Sequence, residues 1–178
     1  LNFFVMKATK GIKRAGLFFA ILVFCSFIVS CQDRSKKTSE ELLEDAIENE
    51  TGSKADVDLG DEKAVITQGG NTVELDGKAN SWPGEIPDEV PEFTYGKVKA
   101  VTTSIIDGAK SWNVIYENVE DDFIDRYDAD LKKKGFETVT MKMGDKGGSI
   151  TADNGKYTVF LMGSEGNLSI GVSPKQQE

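Results

Sequence analysis

Between residues 97 and 173 the chain repeatedly alternates apolar and polar positions in short runs, and this periodicity constrains its fold more than any other feature. A period of two places apolar side chains on one face of an extended strand. Residues 97–105 alternate, Asp107-Gly108 marks a hairpin turn, and 111–118 alternate again through Trp112, Val114 and Tyr116. Residues 136–143, 149–152, 157–162 and 168–173 read as further strands, the second short or merely extended. Their glycine-bearing links are 144–148, 153–156 and 163–167. None of these clusters opens a helix or ends in Gly-Lys-Ser/Thr, so turn chemistry explains them better than phosphate binding.

One segment breaks the alternation. Residues 120–134 carry Phe123, Tyr127 and Leu131 four apart, with Ile124 beside them, acids in the first turn, Lys132-Lys133-Lys134 in the last and Gly135 after it. That is a helix with one apolar stripe and charges complementing its dipole. Hairpin-length links around a single helix predict an α+β class: a mostly antiparallel sheet with one main helix packed on a face. A short helix and a small β-meander precede it. The helix is expected over 39–50, with Thr38 and Glu41 in capping-box spacing, a stripe of Leu42, Leu43, Ala46 and Ile47, and Gly52 as stop. The meander comprises 55–59, 64–68 and 71–75, the last two turning at Gly69-Gly70.

Between meander and sheet lies Trp82-Pro83-Gly84-Glu85-Ile86-Pro87-Asp88-Glu89-Val90-Pro91-Glu92-Phe93. Prolines four apart keep this stretch out of a sheet interior. Ile86, Val90 and Phe93 suit a strap lying on the core. The functional alternative is a binding lip presenting Trp82 and Tyr95.

The N-terminus has a different composition. Residues 1–30 contain Lys7, Lys10, Lys13 and Arg14 but no acid, then an apolar run over 17–29. Met6 is a plausible start. Basic, apolar and small segments in that order form a secretory signal, and the run is shorter than the roughly 20 residues a spanning helix needs. Ile28-Val29-Ser30-Cys31 resembles the bacterial lipobox. That resemblance implies cleavage after Ser30 and diacylglycerol on the Cys31 thiol, with further acylation of the new amino group. It places the chain in a bacterial cell envelope, anchored through lipid. Gln32 rather than Asp after the cysteine favours the outer membrane over the inner. The expected divisions are therefore 1–30 signal, 31–38 tether, 39–78 acidic helix and meander, 79–173 main domain and 174–178 disordered tail.

Composition limits chemistry. The chain has no histidine, and its two cysteines are Cys25 and Cys31. Histidine-based catalysis and zinc ligation are excluded, as are thiol and disulfide chemistry in the main domain. Beyond residue 30 there are 21 − 4 = 17 basic residues against 30 acids, a net −13, which argues against nucleic acid as partner. Asp56-Val57-Asp58-Leu59-Gly60-Asp61 superficially resembles a calcium loop. It lacks glycine at the sixth position and glutamate at the twelfth, where Thr67 stands, so no metal and no cofactor is assigned. Glu117, Glu120, Asp121, Asp122 and Asp125 cluster in sequence, but nothing marks a catalytic pair among them.

Beyond the signal, the chain resembles a family of small bacterial lipoproteins without an assigned function. The resemblance rests on Glu50-Thr51-Gly52, Trp82-Pro83 with Ile86-Pro87 and Val90-Pro91, Tyr95-Gly96, the Trp112 strand, and Tyr127, Leu131 and Gly135-Phe136. It implies a shared fold and anchoring but no activity. The expectation is a membrane-anchored envelope lipoprotein with a non-catalytic domain that binds an envelope protein or extracellular ligand. The alternatives are a carboxylate-dependent glycan or peptide hydrolase, and a periplasmic inhibitor or assembly factor.

Overall fold

The computed structural model describes residues 36–144 and 146–175; Ile28, Val29, Ser30 and Cys31 lie outside them. The chain divides into two compact units between Asp58 and Leu59.

In the first unit, helix α1 (Lys36–Thr51) leads to strand β1 (Ala55–Leu59). The helix begins at Lys36, three residues before the expected start at residue 39 and ahead of Thr38. The expected tether over 31–38 overlaps its first turn, because lysines favour a helix and do not end one. Gly52 ends it at φ 68°. Two acids of this acidic segment have backbone partners. Glu44 Oε1 accepts the Val57 N–H at 3.0 Å and Glu48 Oε1 accepts the Ala55 N–H at 3.3 Å, so the helix holds the strand that follows it. Asp56, between the two bonded strand residues, and Asp58, after them, are exposed.

The second unit is mostly antiparallel sheet. Its strands are β2 (Lys63–Gln68), β3 (Asn71–Asp76), β4 (Lys97–Ile106), β5 (Ala109–Glu117), β6 (Glu137–Lys142), β7 (Gly147–Asp153), β8 (Tyr157–Ser164) and β9 (Asn167–Pro174). They hydrogen-bond in the order β2-β3-β4-β5-β9-β8-β7-β6. The β2–β3 hairpin turns at Gly69 and Gly70, both at positive φ, and joins the main sheet through the ladder from Thr72↔Ile105 to Asp76↔Val101. That ladder is why the division falls at residue 58 and not at 78. Two residues of the expected tail are ordered: Pro174 closes β9, and the Lys175 N–H donates to the Lys156 carbonyl at 2.7 Å; residues 176–178 lie outside the described residues.

Helix α2 (Phe123–Lys133) carries the chain from β5 to the far edge strand and packs on β6 and β7. It buries Phe123, Ile124, Tyr127 and Leu131, the stripe its spacing predicts. It starts three residues later than expected: Asn118 has positive φ, and the Val119 and Glu120 N–H groups donate to the Gly166 and Tyr95 carbonyls. The strap lies on the same face of the sheet. Its Ile86 and Val90 amides close turns onto the carbonyls of Pro83 and Pro87, and Ile86, Val90 and Phe93 are buried. The Phe93 ring meets Tyr95, Tyr116 and Tyr127 edge-on at centroid distances of 5.3, 4.8 and 5.2 Å. Against them lie Trp112 and Val114 of β5, Ile170 and Val172 of β9, Val159 and Leu161 of β8 and Ile150 of β7.

Two of the expected glycine-bearing links lie partly in strand, glycines included. Gly147 and Gly148 begin β7, and Gly163 sits within β8. A Cβ on Gly148 would lie 2.4 Å from the Met141 carbonyl and 3.1 Å from Ile124 Cδ1, so glycine lets α2 approach the sheet there. Among the described residues no helix is long and apolar enough to cross a membrane.

Candidate functional site

Helix α2 and the strap lie on one face of the sheet. The other face carries Val139 and Met141 of β6, Phe160 and Met162 of β8, and Ile115 of β5, with Met143 at the end of β6. The register places them in cross-strand rows. Val139 is opposite Thr151, which is opposite Phe160; Met141 is opposite Ser149, which is opposite Met162, and Ser169 follows, opposite Met162. Val139 is 75% exposed, Met141 63%, Met162 52% and Phe160 49%, and the register groups them on one face, unlike apolar surface residues scattered singly. A shallow groove of about 440 Å³ runs along this face, lined by Ile115, Met143, Met162, Gly163, Leu168 and Ser169.

The intervening positions are small hydroxyl residues, glycine or asparagine. Ser169 donates to the Asn113 side chain at 2.7 Å, and Ser104 and Ser111 pair at 2.8 Å. Such a surface has few charges to repel an apolar ligand and no deep cavity to enclose a small one. Its chemistry is therefore contact over area, with methionines adapting to shape.

A polar cluster stands on the opposite face, where the strap leaves for β4. The Tyr95 hydroxyl donates to an Asp130 carboxylate oxygen, and the Arg126 guanidinium covers the Tyr95 ring at 4.1 Å from its centroid. Arg126 also pairs with Glu120 and, at 3.3 Å, with Asp122. The Tyr95 bond and the Lys133 ammonium hold the Asp130 carboxyl below its ordinary range, and the same bond with burial raises the Tyr95 phenol. Asp128 loses some hydration, but bonds from Lys132, Thr138 and Thr140 outweigh this and keep its carboxyl low as well. Carboxylates held low and fully bonded are poor proton acceptors near neutral pH.

Of the sequence-predicted site residues, Tyr95 is buried at 9% exposure and capped by Arg126, and Trp82 packs against the core. They do not form an open aromatic platform. The acids clustered near the start of α2 are engaged separately. Asp121 pairs with Lys146 at 3.0 Å, Asp125 with Lys142 at 2.7 Å and Glu117 with Lys99 at 3.8 Å. Among the described residues no charged side chain is buried, and no group of three or more metal-ligating side chains converges.

The apolar face escaped the sequence reading. Its signal is the consecutive run Val159-Phe160-Leu161-Met162, which is apolar on both faces of a strand, whereas a half-buried strand alternates. Compared with known proteins, the chain matches no family model, no curated protein and no solved structure.

Proposed function

We propose that this chain is a bacterial envelope lipoprotein, held to the membrane by lipid on Cys31, whose α+β domain is a non-catalytic binding module. The observation that carries the binding reading is the apolar sheet face around Met141, Phe160 and Met162. Apolar surface of this kind on one open face marks a contact site for another macromolecule more often than a reaction site. The anchor rests on the order of basic, apolar and small residues ending in Cys31. Gln32 favours the outer membrane, and the partner is an envelope protein or an extracellular ligand that is not nucleic acid.

Two experiments test the proposal. Metabolic labelling with a fatty acid marks the parent chain and not Cys31→Ser; equal labelling of both removes the anchor. A photocrosslinking residue at Met162, in the native envelope, gives a discrete adduct that the same residue at Glu89 does not. Loss of that contrast, with turnover of a glycan library by the purified protein, would replace the binding reading with the hydrolase.

A further inference from the structure

Strand β6 ends the strand order, and among the described residues nothing pairs with its outer side. The Met143 N–H donates to the Gly147 carbonyl at 2.9 Å, which fixes the phase of the β6–β7 ladder. Backbone groups alternate sides along an antiparallel strand. Glu137, Val139 and Met141 therefore turn their backbone groups toward β7, while Thr138, Thr140 and Lys142 turn theirs outward. The side chains of those outward-facing residues are already engaged on the helix side. Thr138 and Thr140 donate to Asp128 at 2.6 and 3.2 Å, and Lys142 pairs with Asp125. Natural edges are commonly blunted by a central charge, a proline or a bulge. The centre of β6 is Thr138-Val139-Thr140-Met141, and its register with β7 runs unbroken from Glu137↔Asp153 to Lys142↔Gly148.

We propose that β6 is a self-association edge, pairing antiparallel with β6 of a second copy about a two-fold axis through Thr140. A two-fold axis normal to the sheet keeps like faces together, so each residue must meet one of the same phase. Centring on Thr140 meets that condition at every outward-facing position. Thr140 faces Thr140 of the second copy, and Thr138 faces Lys142, so each outward N–H and C=O gains a partner. On the open face the same register sets Val139 against Met141 twice, which joins the two apolar surfaces into one. On the helix side it brings Lys142 of one copy beside Thr138 and Asp128 of the other, an opposite-charge contact in a protein otherwise strongly acidic. An unrelated extended peptide has no reason to meet all these positions at once. The strand's own sequence does, and this favours a second copy as the occupant.

The test uses the full chain in mild detergent with Cys25→Ser and Cys31→Ser, carrying either Val139→Cys or Met141→Cys. Directly opposed residues in a non-hydrogen-bonded antiparallel pair lie about 4.5 Å apart at Cα, within disulfide reach. Mixing the two variants under oxidation is expected to give the mixed disulfide dimer in preference to either homodimer. Thr140→Pro removes an outward N–H and spares the β6–β7 ladder, and it is expected to weaken dimerisation about tenfold or more in sedimentation velocity. Thr140→Val, which keeps that N–H, leaves it unchanged. Three results would each overturn the proposal: no mixed disulfide, equal homodimers from the single variants, or a Met162→Cys crosslink of equal yield, which would mean face-to-face packing. Should Thr140→Pro fail to fold, the crosslinking pattern still decides.

Discussion

The hydroxyl of Tyr95 donates a hydrogen bond to the carboxylate of Asp130, joining the end of the strap to helix α2 across 35 residues of sequence. Phe93, two residues before Tyr95, sits among Tyr95, Tyr116 and Tyr127, so this bond anchors the strap where its aromatic packing is densest. Tyr95→Phe keeps the ring under Arg126 and removes only the bond. A hydrogen bond to a charged group contributes about 1.5–3 kcal/mol, and that is the expected loss of stability in denaturant unfolding at pH 7.

The pH dependence of that loss has a definite sign. The folded-state pKa of Asp130 is lowered, so its contribution is present above the ordinary carboxylate range and disappears as pH falls through the folded value. The stability difference between parent and Tyr95→Phe should therefore hold near neutral pH and shrink below about pH 4. At the alkaline end the Tyr95 phenol is raised, so its contribution is present below about pH 10 and is lost as pH rises further. A difference independent of pH from 2 to 7 would show that the bond is not to an ionised carboxylate.

Gly148 and Gly84 offer a paired test of where glycine is required. A Cβ at Gly148 meets a backbone carbonyl at 2.4 Å with Ile124 behind it, whereas one at Gly84 meets nothing within 4 Å, and φ there is not positive. Gly148→Ala should destabilise by about 1–3 kcal/mol, because the β6 backbone at Met141 must shift away from β7 and Ile124 of α2 must give way behind it. Gly84→Ala should be within about 0.5 kcal/mol of neutral, or slightly stabilising through the unfolded chain. Chemical denaturation of both variants provides the comparison.

The same glycines show where the fold was legible in sequence and where it was not. The strands through Trp112, Val114 and Tyr116, the stripe on α2 and the strap contacts Ile86, Val90 and Phe93 follow from spacing alone, because each depends on local periodicity. Gly147, Gly148 and Gly163 read as turn residues because glycine signals turns locally. Gly148 instead makes room for Ile124 of α2 and Gly163 for Leu168 of β9, while a Cβ on Gly147 would crowd the Met143 and Gly163 carbonyls. A binding lip at Tyr95 stood as the alternative to the strap because Asp130 and Arg126, which engage the ring and hydroxyl, are distant in sequence. The open apolar face was hidden for a related reason: only strand order shows that nothing in the described chain covers Phe160 and Met162.

Strand β8 should show a sharp alternation in mutational cost. Leu161 is fully buried, while its neighbours Phe160 and Met162 are about half exposed on the other face. Leu161→Ala is expected to cost about 2–5 kcal/mol. Phe160→Thr and Met162→Thr should each cost less than about 1 kcal/mol, since threonine suits a strand and little buried surface is lost. The double variant should also bind less of a fluorescent apolar dye than the parent. Equal thermal destabilisation at all three positions would mean that the apolar face is covered within the folded protein.

The turn between β8 and β9 carries local strain that a single substitution can relieve. Glu165 has φ 52° and Gly166 φ 78°, a pair of positive angles suited to the two-residue hairpin turn that favours Asn-Gly. The other two-residue strand links with this pattern, Gly69-Gly70 and Asp107-Gly108, and the positive-φ corner at Asn118 use residues that tolerate the left-handed region; glutamate does so less well. Glu165 makes its hydrogen bonds here through its backbone, donating to the Lys146 carbonyl and accepting from the Asn167 side chain, so replacing its side chain spares both. Glu165→Asn should therefore stabilise by about 0.5–1 kcal/mol and raise the melting temperature by about 1–4 °C. Glu165→Val, which is β-branched and resists positive φ, should shift it the other way. If both variants melt with the parent, the turn adopts a different geometry in solution.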